Sequence, residues 1–316
     1  MSKFKTWRDF MKGFTFEKAF AEGFYFLSWV GRRCKLLWGL FFAMWGLMLG
    51  STILSNTVTQ TLVNNQISQN YSNLDLGVVG SSDPAILESV LAVVTNPWFY
   101  IPLLIVTILT TIIEILLRRA AILSHRFSGE DIEPSFFKVP WKVILNYFWL
   151  MLLFGLLQTA GFLLFIIPGM IWTVTYALAP FMLLDKQKGT IHAFRMTHRL
   201  INGVRWSYFA SLLLIGVIVI VFILALTIPV NFLFPESTTT QLWFSFQNIW
   251  STFLTTFVTF YLIFFNASIY RQLIESIKYN PSIDPIFVQD YFVTQETSQV
   301  QPPDNLEEPA IDDHQE

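Results

Sequence analysis

One carboxylate, Glu114, stands inside an apolar run, in the stretch TIIEILLRR. An acid placed in hydrocarbon is costly, and by default it marks a proton relay, a cation site or a counter-ion. Arg118 follows four residues later with the acid toward the amino end, so a local ion pair is equally available. Glu114 also lies about one turn from a basic boundary toward which it could snorkel. A second set is Asn248, Thr252, Thr255, Thr259 and Asn266, which follow one another at steps of 4, 3, 4 and 7. Those steps keep them on one helix face, where they could line a permeation path or hydrogen-bond neighbouring helices. A third set flanks Ile166-Ile167-Pro168-Gly169, namely Gln158, Thr159, Thr173, Thr175 and Tyr176. Non-helical backbone at membrane depth has to be buried in protein or face water, so these groups could line such a place or bond helix to helix.

The most patterned polar stretch is KQKGTIHAFRMTHRLINGVRW, after Asp185. Thr190 is placed to cap a helix that stops at Asn202-Gly203. Ile191, Phe194, Thr197 and Ile201 fall on one side of it, and His192, Arg195 and Arg199 on another. A helix of this kind lies at a membrane interface with its cations toward anionic head groups, each contributing on the order of 1 kcal/mol. Ordinary retention of positive charge on the inner side would produce the same residues. Constellations for catalysis are missing: His125, His192, His198 and His314 all lie outside the apolar runs, and no paired-histidine metal motif, phosphate loop or nucleophile elbow occurs. Glu130, Asp131 and Glu133 read as solvated loop charge, and the single Cys34 can make no intrachain disulfide or metal cluster. No enzyme activity, cofactor or metal is expected. The expected partners are membrane lipids, anionic ones included, beside a protein partner or a second copy of the chain; no nucleic acid is expected.

These residues need long helices to carry them. Hydrophobic residues make up 53% of the chain, charged residues 13%, and the mean hydropathy is +0.52, against about 25% charged in soluble domains. Apolar runs at about 36–54, 98–117, 143–167, 169–184, 208–226 and 246–268 predict six spans. The expected fold is all-α, a polytopic membrane helical bundle. All twenty Lys and Arg residues lie before the first run or between runs two and three, four and five, or after six; the other three loops hold none. Cationic loops resist translocation, so both termini are expected on the cytoplasmic side. Residues 1–35 form an amphipathic lead, read as mature chain with the first span as signal-anchor. Within it Phe16, Ala19, Phe20, Phe24 and Leu27 recur at helical spacing for an interfacial helix. Residues 36–270 form the membrane domain, and 271–316 a tail without basic charge from Asp290 onward, predicted to be disordered. In span one, Gly39, Ala43, Gly46 and Gly50 share a face that predicts close helix packing. The outer loop is expected over about 55–96, with a helix start at Asp83-Pro84. The fourth run, 169–184, reaches only about 24 Å against a core of about 30 Å, so its Pro-Gly turn is expected below the outer surface.

The run from Phe165 to Trp206 resembles the membrane-domain family that includes the YciC-like inner-membrane proteins and the membrane portion of some glycerophosphodiester phosphodiesterases. The matching pieces are Ile167-Pro168-Gly169, Ala179-Pro180, and Ala193, Arg195, Thr197, Arg199, Leu200, Gly203 and Trp206. Thr197-His198 departs from the Ser-Trp pair usual there, and the long outer loop and acidic tail look like additions. The resemblance extends over about residues 14–275 with its six spans. It implies a bacterial inner-membrane protein without the catalytic barrel of the phosphodiesterase relatives. The expected function is non-enzymatic, in envelope or lipid homeostasis through the cytoplasmic interfacial helices. The alternative is a secondary transporter or channel for a small solute or lipid.

Overall fold

The computed structural model describes residues 16–33, 35–71, 97–124, 138–202, 204–233, 246–279, 285–289 and 291, and every regular element among them is helical. The helices are α1 (Phe16–Arg33), α2 (Lys35–Tyr71), α3 (Pro97–Ser124), α4 (Trp141–Leu164), α5 (Ile166–Tyr176), α6 (Ala179–Lys186), α7 (Thr190–Ile201), α8 (Arg205–Leu233), α9 (Phe246–Tyr279) and α10 (Pro285–Val288). Six segments are long and apolar enough to cross a membrane: Lys35–Asn56, Tyr100–Leu123, Trp141–Leu164, Ile167–Lys186, Arg205–Val230 and Phe246–Ile277. Hydrocarbon offers the backbone no water, so each apolar run satisfies its own N–H and C=O groups as a helix. The chain is an all-α polytopic membrane bundle.

The central element is α9, most of whose span is buried, whereas α2, α3, α4 and α8 turn most of theirs outward. Against it α2 runs antiparallel: Phe41 sits edge-on to both Phe253 and Phe260, at 5.7 and 5.6 Å, and the Thr256 hydroxyl donates to Met48 Sδ at 3.4 Å. Each such aromatic pair adds about 0.5–1.5 kcal/mol beyond its buried area. On another side α8 is antiparallel too, joined by the Tyr208 hydroxyl to Asn266 Oδ1 at 2.9 Å and by Trp250 Nε1 to the Leu226 carbonyl at 3.3 Å. The small-residue face of span one does not form the expected contact. Gly39, Gly46 and Gly50 look onto open space among the described residues, while Leu37, Phe41 and Met44 on the other face are buried. Large side chains reaching into α9 hold that interface, so close backbone approach is not used there.

The lead helix α1 docks on α9. Ala19 is buried, Phe16 meets Phe265 at 5.9 Å, and Phe24 meets Tyr261 at 4.6 Å. A Cβ on Gly23 would stand 3.4 Å from the Tyr261 ring and 3.5 Å from the Phe265 backbone, so this glycine does allow close approach. Polar contacts finish the seam: Glu22 accepts a hydrogen bond from Ser268 at 2.7 Å and pairs with Arg271 at 2.9 Å.

Helix α2 runs on past its apolar segment, Lys35–Asn56, to Tyr71, so the stretch expected outside the membrane from about residue 55 starts as helix. Two boundaries differ from expectation. The tail expected from 271 starts as helix, because α9 continues to Tyr279, and residues 285–289 and 291 pack back with Phe287 and Tyr291 buried. The fourth span is interrupted at Ala177–Leu178, where α5 ends and α6 starts with Pro180 in its first two positions. A proline ring cannot extend the helix before it yet fits the first turn of a new one. The Asp83-Pro84 helix start, the loop acids, His125, His314 and the chain after Tyr291 lie outside the described residues.

The hairpin of α4 and α5 turns at Phe165 alone, not at Pro168-Gly169, which lie in the first turn of α5. Phe165 is extended, with φ −161° and ψ 145°. Its N–H bonds the Gly161 carbonyl at 3.0 Å and its own carbonyl receives the Gly169 N–H at 3.3 Å. Those two bonds satisfy both backbone groups of Phe165 itself. The tip is wholly apolar, with Leu163 83%, Phe165 73% and Ile167 70% exposed, which suits acyl chains as solvent.

Candidate functional site

Arg118 and Arg119 at the end of α3, Lys186 at the end of α6, Arg195 and Arg199 in α7, Arg205 at the start of α8 and Arg271 near the end of α9 all belong to one end of the bundle. Three polar arrangements gather there, each assembled from several helices.

The first surrounds Arg118. Its Nη2 donates to Glu114 Oε2 at 3.1 Å, and its guanidinium lies 5.5 Å from the centroid of the Phe181 ring on α6. Tyr147 of α4 and Tyr208 of α8 lie within electrostatic range of the same charge. Tyr208 then donates to Asn266, whose Nδ2 bonds the Leu262 carbonyl at 2.9 Å. Glu114 and Asn266, candidates from different runs, thus share one layer through Arg118 and Tyr208. The carboxylate is matched by a cation one turn away, which is the local-pair arrangement. Tyr147 and Tyr208 were not singled out in the sequence, because tyrosines near the end of an apolar run also read as interfacial anchors.

The polar stripe of α9 divides. Thr252 is buried, as are Thr256, Ser268 and Gln272, three residues outside the predicted set. Thr255 is exposed and donates to the Ser251 carbonyl at 2.8 Å; Thr259 donates to the Thr255 carbonyl at 2.9 Å. Asn248 is half-buried at the far end. With hydroxyls turned onto their own helix, these threonines sit in lipid at little cost. The buried pair Thr252 and Thr256 is centred about 50° of rotation from the predicted face, and Ser268 and Gln272 lie on the far side of the helix. Around the hairpin the polar groups do not converge either. Thr173 and Thr175 donate to the Gly169 and Ile171 carbonyls at 2.9 and 2.7 Å, Gln158 is half-buried and Thr159 exposed. Tyr176 turns to α7, where its ring meets Phe194 edge-on at 5.0 Å.

The second arrangement is α7 itself. Thr190 does not cap it: Gly189 holds the cap position, and the Thr190 hydroxyl donates to the Asn146 carbonyl of α4 at 2.8 Å. Ala193, Met196, Thr197, Leu200 and Ile201 are buried, and the Thr197 hydroxyl bonds the Ala193 carbonyl at 2.8 Å. Ile191, expected on the apolar side, is 72% exposed. It stands on the outward stripe with Arg195, exposed, and Arg199, half-buried; His192 is half-buried beside them. An outward isoleucine in line with two arginines is the composition of an interfacial surface.

His198, at the end of α7, faces the Arg205 guanidinium, with Nη2 at 3.1 Å from its Nε2. Partial desolvation, then the Arg205 charge, hold its pKa below the ordinary imidazole value. The unfolded chain therefore takes up this proton first as pH falls. The contribution of His198 is fully present above about pH 6.5 and is lost as pH drops toward its folded titration point. His198→Gln should flatten the pH dependence of thermal stability in that window. A profile identical to wild type would contradict the assignment.

The third arrangement holds the returning segment. Asp185, the last acid of α6, accepts hydrogen bonds from the Tyr270 hydroxyl at 2.9 Å and from the Tyr291 hydroxyl. Lys186 Nζ donates to the Tyr291 carbonyl at 2.7 Å and lies 3.2 Å from the Tyr291 ring centroid. Phe287 stacks on Tyr291 with centroids 5.4 Å apart. In the sequence Asp185 and Lys186 simply follow the fourth apolar run; contacts 85 to 106 residues away give them a structural task. No protein-family model, curated protein or solved structure matches the chain.

Proposed function

We propose that this is a non-enzymatic integral membrane protein that organises lipids at one membrane face, with the basic end of the bundle in the cytoplasm. The observation that carries the reading is the outward stripe of α7, Ile191, Arg195 and Arg199, on a helix whose opposite face is fixed to the bundle. A helix so anchored holds its cations at a constant depth, where anionic head groups can collect. The complete segregation of Lys and Arg supports the orientation. The YciC-like resemblance of residues 165–206 supports placement in a bacterial inner membrane and a part in envelope or lipid homeostasis.

The test is the lipid that co-purifies with the full-length protein, measured by mass spectrometry. Arg195→Gln with Arg199→Gln should reduce the enrichment of anionic over zwitterionic lipid by up to roughly thirtyfold, at about 1 kcal/mol per cation. Glu114→Gln should leave it unchanged. Unaltered enrichment in the double variant would sink the reading. The second reading, a proton-coupled transporter, draws on one feature: the Tyr147 hydroxyl, near the Glu114 and Arg118 pair, is buried without a hydrogen-bond partner among the described residues. That reading requires Glu114→Gln to abolish function and the α7 variants to preserve it.

A further inference from the structure

Between α5 and the start of α8 lies a cavity of about 360 Å³, within the range of about 300–1,000 Å³ that small-molecule sites occupy. Its wall is mostly apolar, formed by Met170, Ile171 and Val174 on one side and Trp206 and Phe209 on the other, with the Thr175 hydroxyl turned onto its own helix. One cation, Arg205, lines it. The wall is open to the surrounding solvent of the helices: Trp206 is 78% exposed and Met170 and Ile171 are partly so.

Arg205 lacks a matching anion. Among the described residues no carboxylate forms an ion pair with it, and its polar side-chain partner is the His198 ring at Nη2. Its Nε is buried and makes no hydrogen bond among the described residues. A guanidinium offers a planar fork of donors that fits phosphate in two parallel hydrogen bonds. A guanidinium with no anion beside it is poorly compensated, so a ligand that brings an anionic oxygen to the side of the fork that lines the cavity is favoured.

We propose that this cavity is a one-to-one binding site for an anionic phospholipid, with its phosphate on Arg205 and an acyl chain between α5 and α8. The inference rests on the lipid-organising reading above but differs from it in kind. The α7 stripe attracts many exchanging lipids by charge, whereas this site holds one lipid by shape and charge together. Charge complementarity selects the occupant: one cation lining a mostly apolar groove matches one anionic head on an apolar chain. A free anion would leave the groove empty, and a neutral amphiphile would leave Arg205 unmatched. The groove also joins the hairpin, which touches the bundle at few points, to the first turns of α8. A seated lipid would therefore complete the packing of α5.

Native mass spectrometry of the full-length protein in detergent, titrated with phosphatidylglycerol or with phosphatidylcholine of the same chains, tests this. The expected result is a single phosphatidylglycerol adduct that saturates, binding about tenfold or more tighter than phosphatidylcholine. Arg205→Gln should lose that preference. Val174→Phe, which fills the groove while keeping the cation, should lose the adduct itself, so the conclusion does not depend on one variant folding well. Arg195→Gln with Arg199→Gln should retain the one-to-one adduct even where it loses the diffuse enrichment, which separates failure of this site from failure of the α7 reading. Equal binding of the two lipids, or an adduct indifferent to both Arg205→Gln and Val174→Phe, would overturn the proposal.

Discussion

Gly161→Ala is expected to destabilise the protein by about 3 kcal/mol or more, although it adds one carbon to a helix and ordinarily favours one. A Cβ at Gly161 would stand 2.8 Å from the Gly169 Cα and 2.9 Å from the Trp172 ring. Gly169→Ala meets the Phe162 backbone nitrogen at 2.8 Å from the other side. At each site a backbone atom stands at 2.8 Å beside an aromatic ring, and a rotamer change moves only the ring, so α4 and α5 must separate. Without a hydrophobic drive between helices in lipid, close backbone approach is a main source of their attraction, and separation removes it along the hairpin. Gly155 provides the internal control, since it lies on the same helix with nothing within 4 Å of its added carbon. Gly155→Ala should be neutral or stabilising by up to about 1 kcal/mol. Thermal unfolding of the three variants in one mild detergent would show the difference. Equal effects at Gly155 and Gly161 would refute the contact. The double variant at Gly161 and Gly169 should cost less than the sum, because both glycines serve one approach.

Arg118→Met should cost about 3–5 kcal/mol, the loss seen when one partner of a buried ion pair is removed. The side chains of Arg118 and Glu114 are only 16% and 23% exposed, so solvent compensates little. The variant leaves the Glu114 carboxylate without its cation and takes the guanidinium from the face of Phe181 and from between Tyr147 and Tyr208. Combining Arg118→Met with Glu114→Leu should recover a large part of the loss, since replacing a whole buried pair by apolar groups is often close to neutral. Unfolding by a denaturing detergent, read by tryptophan fluorescence, supplies all corners of the cycle. A double variant as unstable as Arg118→Met alone would mean that the damage comes from lost packing on Phe181 and not from the stranded carboxylate. Glu114→Gln alone should cost less than Arg118→Met, because the guanidinium keeps its aromatic neighbours.

Which contacts were legible in the sequence follows from their range. The Glu114 and Arg118 pair spans one helical turn, and helix geometry alone brings i and i+4 together. The α7 helix and its outward arginines were legible for the same reason, but its buried face was assigned a rotation away, with Ile191 inward. A helix wheel gives relative angles and does not say which side a neighbour occupies. At Thr190 the helix starts one residue early, with Gly189 in the cap position, and the Thr190 hydroxyl donates instead to the Asn146 carbonyl, 44 residues back.

The sequence by itself determined that the chain is helical and that it has six apolar segments able to span a bilayer. Hydrocarbon permits few other outcomes for such runs. The charge segregation that carries the proposed orientation was also complete before any coordinates. The tertiary structure decided which face of each span meets protein. In a bilayer both the lipid-facing and the protein-facing sides of a helix are apolar, so hydrophobic periodicity, which marks the core face in water, has little to mark here. It therefore took the fold to show that Gly161 and Gly169 touch while Gly39, Gly46 and Gly50 do not. The same holds for Tyr208 joining Asn266 across 58 residues and Ser268 reaching Glu22 across 246. Arg205 likewise counted only as one more inner-side cation until the packing of α5 against α8 placed it in the lining of a groove.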